Sequence, residues 1–392
     1  MKTINLGFVG DLLVNREDAL APFRDVQALL KAPDILFGNM EGAYTDTPYP
    51  ASGMSAMISG AGANLDVFSK VGFDVLSLAN NHILDVGSDA MLENRSRLRK
   101  QGIQTCGAGE NISDARTPAL VRAEGLTVAY LGYSSIFPWG YEAYANIPGL
   151  VPIRAYDVWR TPISRLHMPG AQPISATVPD ESDMMNLARD IRGAKELADL
   201  VVVSVHAGDQ SRPHHLSDHE LRTARYCIDV GADMVVGHHH HTLRGMEWYK
   251  GCPILYGLGH FVFDFKLGMS AEELERFLTE MSSGDIWKAP YAVAPREGWP
   301  YLPMHPDTRM TTMALVSATK DGVHEVGIVP CRLRPDGSVY VIEPGSDDWH
   351  QIIAYLEQCN ISQKLNGTLE LAPSGEFLGF WSLKLLKPEA HV

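Results

Sequence analysis

"GADMVVGHHHHTLRGME", residues 231–247, places four consecutive histidines directly after a short apolar run. The run 233–237 has the length and composition of a buried strand. Four adjacent imidazoles at the buried end of a strand are costly unless something pairs them. Upstream, "SDHELRTARYCIDVG" (217–231) reads as a helix. Ser217 and Glu220 form a capping box, Leu221, Ala224 and Ile228 give the apolar stripe, and Gly231 stops it. Before it, "DLVVVSVH" (199–206) is another buried strand. A strand–helix–strand crossover makes the two strands parallel, with their C-terminal ends at one edge.

The first third of the chain has the same character. "INLGFVG" (4–10), "DILFGN" (34–39) and "DVLSLAN" (74–80) are apolar runs bounded by polar residues or glycine. "SDAMLENRSRLRKQG" (88–102) reads as a helix, with Ser88 capping its start, basic residues in its last turn and Gly102 as its stop. "PALVRAEGLTVAYLGY" (118–133) predicts a hairpin turning at Glu124-Gly125. A second hairpin is expected at 323–342, around Pro335-Asp336-Gly337, followed by a helix from about 348 to 359. Two stretches rich in Pro, Gly and aromatics, 136–182 and 284–308, read either as loops covering a site or as surface excursions packed on themselves.

Composition narrows the function classes. The 392 residues are 45% hydrophobic and 20% charged, as in a soluble globular protein with a sizeable core. The net charge of −14 and the lack of a basic block argue against nucleic acid as a partner. Five scattered cysteines without a C-x-x-C pair suggest a reducing compartment. The N-terminus carries no signal-peptide pattern, and no stretch approaches the ~20 apolar residues of a membrane span. A cytoplasmic location is the expectation.

The residues that terminate the buried runs decide the chemistry. After 4–10 comes Asp11, and after 34–39 come Asn39 and Glu41. After 74–80 come Asn80, Asn81 and His82, with Asp85 one turn further. His206 and Asp209 succeed 199–205, and His238 to His241 succeed 233–237. Five runs thus end in oxygen or imidazole donors of the kind that bind divalent transition metals. Ligands of open α/β sheets bind outside the carboxyl ends of strands, where residues distant in sequence meet.

Taken together, "GD" (10–11), "GNMEG" (38–42), "SLANNHILDVG" (77–87), "VSVHAGD" (203–209), the histidine run and "ILYGLGHFVFD" (254–264) resemble the CapA family of bacterial capsule-synthesis proteins. That family is linked to poly-γ-glutamate production and is related to calcineurin-like metallophosphoesterases. The resemblance covers roughly residues 4–265. It implies an α/β fold, a four-layer αββα sandwich of the metallo-dependent phosphatase type, with one or two divalent ions (Mn, Zn or Fe) at one edge. The chain is expected to form a main domain of about 1–345, carrying both insertions, with a C-terminal helix and tail (346–392) packed on it.

By the same resemblance Asp11, Glu41, Asn81, His206, His239 and His241 are metal ligands and His82 is the adjacent catalytic histidine. Asp85 is placed either to orient His82 or to cap the following turn, with the cap favoured. Asn39, Asn80, Asp209, His238, His240 and His260 stand around the ligands or toward a substrate. Departures from the family pattern fall at Ala207, Gln210, His240 and His260, and at the missing histidine of an Asp-x-His motif after Asp11. Arg212, His214 and His215 either recognise an anionic group or lie in a solvated loop. The expected function is a metal-dependent hydrolase of a small, anionic phosphoester, amide or lactone. The alternatives are a non-hydrolytic accessory protein that binds a glutamate polymer, and a metal-binding scaffold without turnover. Homo-oligomerisation is left open.

Overall fold

Alternate residues of the strand Leu200–His206 enter different cores. Val202 packs with Leu6, Phe8, Phe37 and Tyr130, whereas Val201 and Val203 pack with Leu187, Ile191 and Cys227. That period-two division is the reason the chain builds sheets covered on both faces. The computed structural model describes residues 2–49, 58–160, 174–266, 298–299, 301 and 305–388. Among them two large mixed sheets dominate an α/β fold.

The ten-stranded sheet is parallel on one side, where Ile4–Leu13 is followed by Ile35–Met40, Val75–Ser77 and Gln104–Cys106. On its other side Ile4–Leu13 pairs antiparallel with Met310–Thr319, and Gly322–Leu333 and the hairpin Thr368–Phe377/Phe380–Leu386 continue outward. His260–Phe263 adds in parallel at the C-terminal end of the first strand. The six-stranded sheet runs Met246–Tyr249, Cys252–Leu255, Met234–His238, Leu200–His206, Leu126–Ser134, Ala119–Ala123. The crossover strands Leu200–His206 and Met234–His238 are parallel, as read from the sequence.

The two sheets share one core, in which Phe37 stacks on Tyr130 at 5.4 Å between ring centroids. On the outer face of the larger sheet, Val67, Phe68, Met91 and Leu98 supply helical cover. On the smaller sheet the helices Glu181–Leu197 and Asp218–Asp229 do the same. The helix Asp347–Gln363 sends Trp349, Ile352 and Leu356 into the shared core, and the hairpin after it extends the larger sheet. Ser88 is the first residue of its helix rather than the cap, which falls at Gly87 in the left-handed region (φ 93°). Glu124 and Gly125, both at positive φ, make the tight turn expected between the strands they join. Of the insertions, 161–173 and most of 284–308 lie outside the described residues. No helix among the described residues is long and apolar enough to cross a membrane.

Two glycines let these strand ends converge. A Cβ at Gly10 would lie 1.7 Å from the Gly259 carbonyl oxygen, and one at Gly237 would lie 2.1 Å from that of Tyr256. Each glycine immediately precedes a residue of the site, Asp11 or His238. Gly10→Ala is therefore expected to cost about 3 kcal/mol in urea unfolding, because backbone rather than a flexible side chain must move. An unchanged midpoint would show that the close approach is not required.

Candidate metal centre

Strand register brings the polar residues together before any side chain is considered. Asp11 is the register partner of Asn39 on one side and of His260 on the other. Asn39 is opposite Ser77, three residues before Asn80, and His206 is opposite His238. The two sheets thus offer their C-terminal strand ends to one volume.

Asp11 and Glu41 sit at its centre, 1% and 0% exposed. Asp11 Oδ1 accepts from Asn39 Nδ2 at 2.8 Å and lies 3.4 Å from His238 Nδ1. Its Oδ2 lies 3.3 Å from His241 Nδ1 and accepts from the His239 backbone N–H. Among the described residues, neither carboxylate oxygen of Glu41 has a hydrogen-bond partner. Its Oε1 is 3.5 Å from His241 Nε2, 3.8 Å from His206 Nε2 and 3.9 Å from His82 Nε2. Donor atoms of Glu41, His206 and His239 all lie within 4.8 Å of one another, and so do those of Asp11, Glu41 and His241. Glu41 belongs to both groups.

Burial and the charges of Asp11 and Asp85 push the Glu41 carboxyl well above the usual range. Burial acts in the same direction on Asp11, but contacts from His238 and His241 outweigh it and hold that carboxyl well below its ordinary value. Burial, reinforced by neighbouring imidazoles, holds His206 and His239 far below the normal imidazole value, and it brings His260 down to about 3. Imidazoles that resist protonation are in the form that ligates metal. A buried carboxylate without a hydrogen-bond donor, close to the carboxylates of Asp11 and Asp85, calls for a positive charge to compensate it. These groups of His, Asp and Glu therefore fit a divalent cation.

A hydrogen-bonded chain leaves the cluster through Asn81. His206 Nε2 is 2.8 Å from Asn81 Oδ1, and Asn81 Nδ2 is 2.9 Å from His82 Nε2. His82 Nδ1 is 2.8 Å from Asp85 Oδ2, which also accepts from the Ile58 backbone N–H at 2.9 Å. Since a carboxylate only accepts, Nδ1 carries the proton and Nε2 faces the cluster. Asp85 is fully buried and aimed at His82, so the favoured reading as a turn cap is corrected. Asn80 donates to Asn39 Oδ1 and to the Met40 carbonyl, bracing the two strand ends.

Other residues singled out in the sequence stand at different distances. His260 is buried against Phe263 and His241, with ring centroids 5.3 and 5.5 Å away. His240 turns away from the carboxylates, its Nε2 lying 2.9 Å from Glu220 Oε1. Asp209 is not brought to the cluster: it accepts from the Ser211 N–H at 2.8 Å and pairs with Arg212. Arg212 is exposed, and His214 packs on Tyr355 with ring centroids 4.5 Å apart.

Two residues escaped the sequence reading. Tyr141, in the aromatic stretch, donates its hydroxyl to Asp85 Oδ1 at 3.0 Å. The only available signal was the density of aromatics around it. Glu220 was accounted for by its capping box, and its Oε2 does accept the Ser217 N–H at 2.7 Å. Its second oxygen, free to meet His240, has no sequence signature.

An α/β chain whose converging strand ends bury a carboxylate shared by two imidazole groups is, by class, a candidate metal-binding protein. Residues 5–265 match the family described as bacterial capsule synthesis protein PGA_cap, and the chain belongs to that family. It is 31% identical over 271 residues to the PGA biosynthesis protein CapA of Bacillus subtilis, with 67% of this chain and 63% of that protein covered. It is 30% identical over 274 residues to the capsule biosynthesis protein CapA of Bacillus anthracis, covering 67% and 60% respectively. A probable polyglutamine synthesis accessory protein of Mycobacterium tuberculosis is 32% identical over 196 residues, 49% of this chain and 46% of that one. The chain thus spans somewhat under two thirds of the length of the relatives it matches.

Proposed function

We propose that this protein is a metal-dependent hydrolase acting on a small anionic substrate. The observation that carries the reading is Glu41, fully buried with both oxygens unpartnered between two groups of potential ligands. Asp11, Glu41, Asn81, His206, His239 and His241 would hold one or two ions, with Mn, Zn or Fe suited to the mixed N/O donors. We read the paired sheets and their helical cover as the four-layer sandwich of the metallophosphatase type. When bound, such an ion supplies Lewis-acid polarisation and acidifies water.

The chain's own residues do the rest. Asp85, fixed by Ile58 and Tyr141, orients the His82 ring so that Nε2 is the atom offered to the site. His82, 17% exposed against at most 4% for His206, His239 and His241, is the imidazole that meets solvent. As the imidazolium, with Nδ1–H still held by Asp85, it would be placed to give its Nε2 proton to a leaving group. His238, packed on Asp11, and Asn39 keep that carboxylate aimed inward.

A second reading takes its lead from relatives named as a PGA biosynthesis protein and a probable polyglutamine synthesis accessory protein: this chain would bind a glutamate polymer without cleaving it. Metal analysis followed by a panel of phosphoester, amide and lactone substrates, with and without Mn²⁺ or Zn²⁺, separates the two. Metal-dependent turnover of any member supports hydrolysis. Polymer binding with no turnover favours the accessory role, and a protein that takes up no transition metal defeats both the cage and the chemistry built on it.

A further inference from the structure

A cavity of about 200 Å³ is lined in part by Glu142, the residue after Tyr141. Its walls come from the short helix Ile112–Ala115, the segment 142–154 and the helix Glu181–Leu197. None of its lining residues belongs to the metal cluster.

Charge accounting defines what it would accept. Arg116 is held side-on by Asp190, at 2.7 and 2.6 Å, and Arg154 by Asp183, at 2.8 Å twice. Both cations are thereby neutralised by bidentate pairing. Among the described residues Glu142 has no such partner: it is 3% exposed, and its carboxylate accepts from the Gly140 N–H and the Tyr144 hydroxyl. The cavity therefore carries one uncompensated negative charge. Around it stand the rings of Tyr133 and Tyr144 and the apolar surfaces of Ile112 and Val151. An anion would meet only neutralised arginines and a repelling carboxylate. A hydrated metal ion would gain little from apolar and aromatic walls. A small organic ammonium ion satisfies both features, with its charged head on Glu142 and its alkyl part against the walls.

We propose that this cavity binds a small organic amine in its protonated form. The probe is n-butylammonium chloride, with n-butanol as the uncharged control of similar shape, followed by saturation-transfer NMR on the full chain. Butylammonium is expected to bind with a Kd in the millimolar range, and butanol at least tenfold more weakly. Glu142→Gln, which keeps an acceptor but removes the charge, is expected to weaken butylammonium about tenfold or more and leave butanol unchanged. Ala145→Trp, at an exposed position on the rim, is expected to block both and keeps the test valid if Glu142→Gln fails to fold. Equal binding of the two probes, binding indifferent to both substitutions, or no binding of butylammonium overturns the proposal. None of these outcomes depends on the metal centre.

Discussion

Glu41→Gln is expected to change the sign of its effect on stability according to whether a divalent metal is supplied. Without metal, the wild-type chain buries a carboxylate that has no hydrogen-bond donor and lies close to Asp11 and Asp85. Replacing, at nearly constant volume, a group that must either stay ionised without a donor or take up a proton to fold is expected to raise unfolding free energy by about 1–3 kcal/mol. With Mn²⁺ or Zn²⁺ in excess the order inverts. Glu41 belongs to both candidate ligand groups, so its loss should weaken metal by more than the roughly 10–100-fold typical of losing a residue outside the ligand set. The wild type then gains the stabilisation that comes from binding only the folded state, and the variant does not. Urea midpoints of both proteins, in chelator and in metal, measure the four values. A glutamine variant less stable than wild type in chelator would mean that Glu41 already has a partner in the metal-free protein, and the cage argument would lose its foundation.

His82→Ala is the second large effect. With a substrate that the panel shows to be cleaved, kcat is expected to fall by ~10²–10⁴, the ordinary contribution of a positioned acid or base. Metal content should not change, because neither ligand group includes His82. Tyr141→Phe probes the same chain from behind and is expected to cost tenfold or less. Asp85 keeps the Ile58 N–H and its contact with His82 when the phenol is gone. Atomic absorption on each variant, beside steady-state kinetics, separates the roles. Turnover intact in His82→Ala at full metal occupancy would remove His82 from the chemistry, and lost metal would move it into the cage.

Much of the site was legible because its residues terminate strands. A run such as 199–205 announces its own end, and the polar residue after it is pinned to the sheet edge by register. This is why Asp11, Glu41, His206, His239 and His241 could be expected to meet. Direction was not legible. In "HHHH" the backbone turns, and nothing in the row says that His240 points to Glu220 while its two neighbours point to the carboxylates. Asp85 was ambiguous for a related reason, since a turn cap and a histidine partner occupy the same spacing. The antiparallel half of the larger sheet was hidden by distance. Met310–Thr319 pairs with Ile4–Leu13 across almost the whole chain, and no local pattern encodes such a pairing. The hairpin at 323–342 was visible because its turn is local, although the longer partner of Gly322–Leu333 is the strand before it.

His239 and His241 both hold positive φ, at 99° and 55°, a region that residues with a side chain enter reluctantly. Glycine would sit there more comfortably but would bring no imidazole. If a cation is held there as proposed, the grip of His239 and His241 on it would keep the bend at 239–241, like a spring clip that stays shut around its contents. Chelation would then be expected to speed amide-hydrogen exchange at these few peptide groups before either sheet loosens.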